Sequence, residues 1–252
     1  MAEQTRVLIL GGTQDGAAIA RALADDPAFH VISSLAGRTR NPARIEGEVR
    51  RGGFGGADGL KRYLNEARID LLVDATHPFA AAISRHAADA SLAADIPRVQ
   101  LQRPPWSPKD GDRWVEVESV DEAARAVSAH GSRAFLTVGR QELGAFAAVR
   151  DVWFLIRLID PPADPIALEA FELLHARGPF VAAADEALMR QHAIEVLISK
   201  NSGGEATYGK IKAARNLGIP VVMVRPPPAQ PGDQVADVEA ACAWIRGHAA
   251  AR

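Results

Sequence analysis

The chain has 252 residues, 48% hydrophobic and 24% charged, with 29 Lys and Arg against 31 Asp and Glu and a single cysteine. A formal charge of −2 argues against a protein that grips nucleic acid through bulk electrostatics, and Cys242 alone can form no internal disulfide. No Cys/His spacing suited to a metal appears, no uncharged run approaches the roughly 18 residues of a membrane helix, and the apolar segment of a signal peptide is lacking. The expectation is a cytoplasmic protein with no nucleic-acid, membrane or metal partner, large enough to bury a proper core.

Short apolar runs alternate with Ala-rich stretches of helical period, the pattern of βα units feeding a parallel sheet. The first strands are predicted at Val7–Leu10, Val31–Leu35, Leu71–Asp74 and Val99–Leu101. Four glycines in Gly52-Gly53-Phe54-Gly55-Gly56 interrupt this set with turns that a Cβ would forbid. The prolines of Arg103-Pro104-Pro105-Trp106-Ser107-Pro108 exclude helix and central strand, and mark a linker. A second set follows at Trp114–Val117, Ala134–Val138, Val152–Ile156, Val196–Ser199 and Val221–Val224, with a last helix near Val235–Arg246. The fold class is α/β with two domains of similar size, residues 1–112 and 113–252.

Several strand ends carry candidate chemistry. Gly11-Gly12-Thr13-Gln14-Asp15-Gly16 joins the first strand to the first helix, where backbone N–H groups and a helix N-terminus can face phosphate. Thr13 stands where the dinucleotide fingerprint G-x-G-x-x-G has its second glycine, and a plain strand-to-helix turn uses the same residues. After the second strand, Ser33-Ser34-Leu35-Ala36-Gly37-Arg38-Thr39-Arg40 has no acid for a ribose 2′-hydroxyl but two guanidinium groups. This favours a 2′-phosphate and hence NADPH, against a solvated basic loop. Asp74-Ala75-Thr76-His77-Pro78-Phe79 closes a strand and opens a helix, with Pro78 suited to its first turn. Asp74 and His77 form a proton-handling pair, or else Asp74 or Thr76 caps the helix while His77 packs or faces solvent. Thr137-Val138-Gly139-Arg140 turns from strand to helix, with Arg140 as a ligand contact or a surface ion pair. The donor-rich loop Lys200-Asn201-Ser202-Gly203-Gly204-Glu205-Ala206-Thr207 suits an anion. Trp106, Trp114 and Trp153 either line a flat ligand or belong to the core.

Together these segments resemble the precorrin-6A reductase family of corrin (vitamin B12) biosynthesis. The likeness spans nearly the whole chain. It is carried by Leu10-Gly11-Gly12-Thr13, Leu35-Ala36-Gly37-Arg38, Gly52–Gly56, Asp74–Ala80, Arg103–Trp106, Val138-Gly139-Arg140 and Lys200–Gly204 in this order and spacing. Phe180-Val181-Ala182-Ala183-Ala184-Asp185-Glu186 departs from the family's pattern, being plainer and richer in alanine. The resemblance implies two Rossmann-like domains with mostly parallel sheets and NADPH in an active-site cleft between them. It also implies hydride transfer to carbon 19 of precorrin-6A, with a proton added at carbon 18, to give precorrin-6B. It puts the cofactor on Gly11, Gly12, Thr13, Gly16, Ser34, Gly37, Arg38 and Thr76. A tetrapyrrole fringed with carboxylates calls for cations, and Arg40, Arg103, Arg140, Lys200 and Lys210 are candidates, with Asn201, Ser202 and Gly203 beside them. His77 is the first candidate proton donor, with Asp74 orienting it. A metal-free or a cobalt-containing ring, and a monomer or a homo-oligomer, all fit the pattern.

Two rival readings remain. Tyr208 and Lys212 fit the Tyr-x-x-x-Lys of short-chain dehydrogenases, in which the ammonium lowers the phenol's pKa. Against this, Tyr208 falls late in the chain, the first loop lacks T-G-x-x-x-G-x-G, and Glu195 stands at the expected serine. The other rival is a protein that binds NADP(H) without catalysis.

Overall fold

Valine, isoleucine and leucine at successive positions of β1 (Thr5–Leu10) point to opposite faces of a sheet, and both faces are buried. The computed structural model describes residues 4–36, 45–162 and 164–251. In chain order β1 leads to α1 (Gln14–Leu23), β2 (Phe29–Leu35), β3 (Glu48–Arg51), α2 (Ala57–Glu66), β4 (Leu71–Asp74), α3 (Ala81–Ala94) and β5 (Arg98–Leu101). A second set begins with β6 (Trp114–Val117) and α4 (Val120–Ala126), followed by β7 (Arg133–Leu136), β8 (Trp153–Leu158) and β9 (Phe171–His175). It continues through α5 (Ala182–Gln191), β10 (Val196–Lys200), α6 (Gly209–Leu217) and β11 (Val221–Val224). The chain ends with β12 (Asp233–Val235) and α7 (Val238–Ala250). Among the described residues, no helix is long and apolar enough to cross a membrane.

The strands form two six-stranded sheets, ordered β12-β5-β4-β1-β2-β3 and β6-β11-β10-β7-β8-β9, and every pairing is parallel. In the first unit, Val7, Ile9, Val31, Val73 and Val99 pack against Ile19 and Leu23 of α1 and Cys242 and Ile245 of α7. Leu8, Leu10, Ile32 and Leu72 pack on the opposite side with Leu60 and Leu64 of α2. In the second unit, Phe135, Leu155, Leu197 and Val221 meet Met189 of α5 and Ile211 and Ala214 of α6. Trp106, Trp114 and Trp153 pack against that core, as aromatics beside strands commonly do.

The C-terminal segment corrects the sequence reading. The two compact units are Met1–Pro104 with Pro227–Arg252, and Pro105–Pro226. Residues 227–252 therefore belong with the first sheet, where Asp233, Gln234 and Val235 pair with Val99, Gln100 and Leu101. The buried Arg98 donates through Nη2 to the Pro231 carbonyl, and the Gln230 N–H donates to Gln100 Oε1 at 2.9 Å, so two polar side chains of β5 hold the returning segment. A three-residue strand of mixed polarity has no periodicity to announce this partner.

The order within each sheet defines a switch point. From β1 the first sheet grows to β2 and β3, then returns to place β4 on the other side of β1. From β7 the second grows to β8 and β9, then returns to place β10 beside β7. Open parallel sheets bind ligands outside the carboxyl ends of strands at such points.

Candidate active site

At the first switch point the β1–α1 turn is tied to the strands on both sides. The Gly11 N–H donates to Ser34 O of β2 at 3.0 Å, and Thr13 Oγ1 donates to Ala75 O, just beyond β4, at 2.7 Å. The same Oγ1 accepts from the Gly16 N–H at 3.1 Å, so Thr13 is the N-cap of α1. Its hydroxyl is thus directed into the fold. Gly12 adopts φ +107° with nothing within 4 Å of the position a Cβ would take, whereas a Cβ on Gly16 would lie 3.2 Å from Gly11 Cα and 3.5 Å from Ala75 Cβ. These are the two uses of glycine in a dinucleotide turn, open backbone towards the ligand and close helix packing behind it. The turn fits a pyrophosphate although its middle glycine is replaced.

Asp74 ends β4 and is only 1% exposed. Its Oδ1 accepts from Thr76 N–H at 3.2 Å and from Thr76 Oγ1 at 2.7 Å, while its Oδ2 has no hydrogen-bond partner. Asp74 therefore orients Thr76 rather than His77. His77 is exposed, and its Nδ1 accepts from the Phe79 N–H at 3.2 Å, which leaves the ring proton on Nε2. The structure starts α3 at Ala81 and places Pro78 in a turn closed by Ala80 N–H donating to His77 O at 2.7 Å. Proline's fixed φ serves that turn as well as it would a first helical residue. The N-cap of α3 is Ala80, so neither Asp74 nor Thr76 caps the helix.

The second switch point is lined with charge. Lys200, the last residue of β10, pairs through Nζ with Glu142 Oε1 at 2.8 Å. Glu142 lies in the 3-10 segment Arg140–Phe146 that follows β7, where the sequence suggested an ordinary helix, and the half-buried Arg140 opens that segment. Asn201 is buried: Trp106 N–H donates to its Oδ1 at 2.7 Å and its Nδ2 donates to Trp106 O at 2.8 Å. Trp106 Nε1 in turn donates to Gly204 O at 2.8 Å. Asn201 is thus the anchor of the glycine loop, in which Ser202 is half-buried and Gly203 is buried at φ +64°.

Beneath this loop lies a buried charge cluster that sequence reasoning saw only in part. Lys210, 5% exposed in the first turn of α6, donates to Thr207 O at 3.0 Å and lies 5.3 Å from the Trp106 ring centre. Arg157 near the end of β8 and Asp185 in the first turn of α5 are 8% and 3% exposed and form an ion pair at 2.5 Å. The Arg157 guanidinium also stacks at 3.8 Å on Phe180, and Asp185 Oδ2 has no hydrogen-bond partner. Burial pushes the Lys210 ammonium down to about 7, helped by the cations Arg157 and Lys200 and opposed by Asp185. Arg157 and Asp185 stand 28 positions apart in sequence, with no motif to join them.

Other expected site residues divide differently. Arg103 pairs with Asp15 in the first turn of α1 at 2.8 Å, so its charge balances a local acid. Gly37, Arg38 and Arg40 lie outside the described residues. Tyr208 is buried, its ring 5.5 Å from that of Trp106, and its hydroxyl accepts from Arg215 Nη2 at 2.8 Å. Arg215 is held in turn by Asp112 at 2.9 Å, while Lys212 is exposed, so Tyr208 and Lys212 present no dehydrogenase pair to solvent. Among the described residues, no group of His, Cys, Asp and Glu could hold a metal ion.

The sequence matches the family Precorrin-6x reductase CbiJ/CobK over residues 6–246. The chain belongs to this family. Its relatives include a precorrin-6A reductase of Rhodococcus erythropolis, 52% identical over 96% of this chain and 97% of that protein. Another, from Sinorhizobium, is 49% identical over 88% of this chain and 85% of the relative. The solved structure of a CobK precorrin-6A reductase superposes with a TM-score of 0.92 at 38% identity, covering 97% of both chains. Family membership makes the chain an oxidoreductase acting on a CH–CH bond in cobalamin biosynthesis, on a Rossmann-like α/β fold.

Proposed function

We propose that the protein reduces precorrin-6A to precorrin-6B in the cytoplasm with NADPH as reductant. The observation that carries this reading is the glycine turn at the first switch point, open at Gly12 and closed at Gly16, in a chain that matches the reductase family over residues 6–246. NADPH, when bound, supplies the hydride for carbon 19 of the ring. Gly11, Gly12, Thr13 and Gly16 cradle its pyrophosphate, Thr76 lines the same switch point, and Ser34, Gly37 and Arg38 receive the adenosine ribose and its 2′-phosphate.

The tetrapyrrole's carboxylates are received by Arg140, Lys200, Lys210, Ser202 and Gly203, with Arg40 and Arg103 as further cations. Glu142 holds Lys200 until a substrate carboxylate competes for it. Asn201 acts through Trp106 and the glycine loop. His77, as the imidazolium, supplies its Nε2 proton to carbon 18 and is left as the neutral ring, while Asp74 sets Thr76. The ring is the metal-free one, as in the names of the Rhodococcus and Sinorhizobium relatives.

The test is loss of NADPH absorbance by the purified protein with precorrin-6A, with cobalt-precorrin-6A, or with neither, and mass spectrometry of the product. Consumption only with precorrin-6A, yielding its dihydro product, is expected. No consumption with either ring, or equal consumption without one, refutes the assignment.

A further inference from the structure

At the carboxyl end of β3, Arg50 sits in register with Ser34 at the end of β2. Its Nη1 donates to Ser34 Oγ at 3.3 Å and to Gly52 O at 2.6 Å, and its Nη2 donates to Gly53 O at 2.8 Å. The guanidinium lies 3.8 Å from the ring centre of Phe54 and 5.0 Å from that of Tyr63, and the two rings stand 5.3 Å apart. Those hydrogen bonds engage three of the five guanidinium donors and leave Nε–H and one Nη2–H. The surrounding loop is open: a Cβ on Gly52, Gly53, Gly55 or Gly56 would meet nothing within 4 Å. Behind it Gly59 of α2 packs so closely on the Phe54 carbonyl that the ring's backbone is pinned.

We propose that Arg50, stacked on Phe54 and bonded to Ser34, binds the adenosine 2′-phosphate and so sets the preference for NADPH over NADH. The end of the second strand of a dinucleotide fold is where the ribose 2′-position is read. A fixed, permanently charged fork resting on an aromatic face is suited to a phosphate monoester there, because its two remaining donors act together and the ring holds its plane. The Ser34 hydroxyl adds a third donor. This assignment rests on the nicotinamide-dinucleotide reading above.

The test is direct binding of NADPH and NADH, followed by nicotinamide fluorescence, to wild type, Arg50→Met, Arg50→Lys and Ser34→Ala, with adenosine 2′,5′-bisphosphate as competitor. Arg50→Met should weaken NADPH about ten- to a hundredfold and NADH less than about threefold, and should weaken competition by the bisphosphate by the same factor as NADPH. Arg50→Lys should recover only part of the loss, and Ser34→Ala should shift NADPH alone by a smaller factor. NADH binding that survives in the variants shows that the turn is intact. Equal losses for both nucleotides, or none, overturn the assignment to Arg50 while leaving the cofactor reading standing. Failure of wild type to bind either nucleotide overturns both.

Discussion

Replacing Lys210 by Met removes an ammonium that the fold holds among Arg157, Asp185, Lys200 and the Trp106 ring. Its folded-state pKa, lowered to about 7 from 10.5, means that between these values the unfolded chain carries a proton that the folded chain does not. Stability conferred by deprotonating this group is therefore absent below about pH 7 and accumulates as pH rises towards 10.5, by about 1.4 kcal/mol per pH unit for one proton. Lys210→Met has no such proton. The difference in unfolding free energy, variant minus wild type, should be greatest at and below pH 7 and fall by about 1.3 kcal/mol per unit between pH 8 and 9. Loss of the bond to Thr207 O offsets the variant's advantage by about 0.5–1.5 kcal/mol at every pH, so the slope carries the test. Urea titrations at several pH values, read by tryptophan fluorescence, suit this unit, which holds Trp106, Trp114 and Trp153 of the chain's four tryptophans. A difference that stays constant from pH 7 to 9 would refute the account of a buried, depressed lysine.

Gly59→Ala drives a Cβ into Phe54 O, a backbone atom, and should cost the upper end of about 1–3 kcal/mol in chemical denaturation; a loss near zero would show that the glycine loop yields easily. Asn201→Ala strips both backbone groups of Trp106 of their partner, at about 1–3 kcal/mol for each group left buried. Asn201→Asp should be no better, because it keeps the acceptor for Trp106 N but sets a carboxylate against Trp106 O. For His77→Ala, kcat should fall by about a hundredfold or more with KM little changed. An unchanged kcat and pH profile would remove His77 from the mechanism.

The central strands were legible because a parallel sheet covered on both faces demands continuous apolar runs such as Val7–Leu10 and Val221–Val224. Of the four edge strands among the described residues, only Trp114–Val117 was legible. Glu48–Arg51, Phe171–His175 and Asp233–Val235 each have a neighbour on one side only and carry charged or polar residues that resemble loop. Local chemistry was similarly readable where the motif is contiguous. Gly11, Gly12, Thr13 and Gly16 lie within a single turn, and their order alone indicated a strand-to-helix junction with room for phosphate.

By itself the sequence determined the α/β class, the alternation of short strands with helices, the glycine turn and the family. Those properties follow from nearest neighbours along the chain and from residue order. Only the tertiary structure decided that residues 227–252 complete the first sheet, that Asn201 anchors Trp106, and that Asp74 serves Thr76 instead of His77. It alone also paired Lys200 with Glu142, Arg157 with Asp185, and Arg50 with Ser34. Each of those three partnerships joins different strands, helices or loops, and which charges neutralise one another depends on how parallel strands are ordered, which no local pattern encodes.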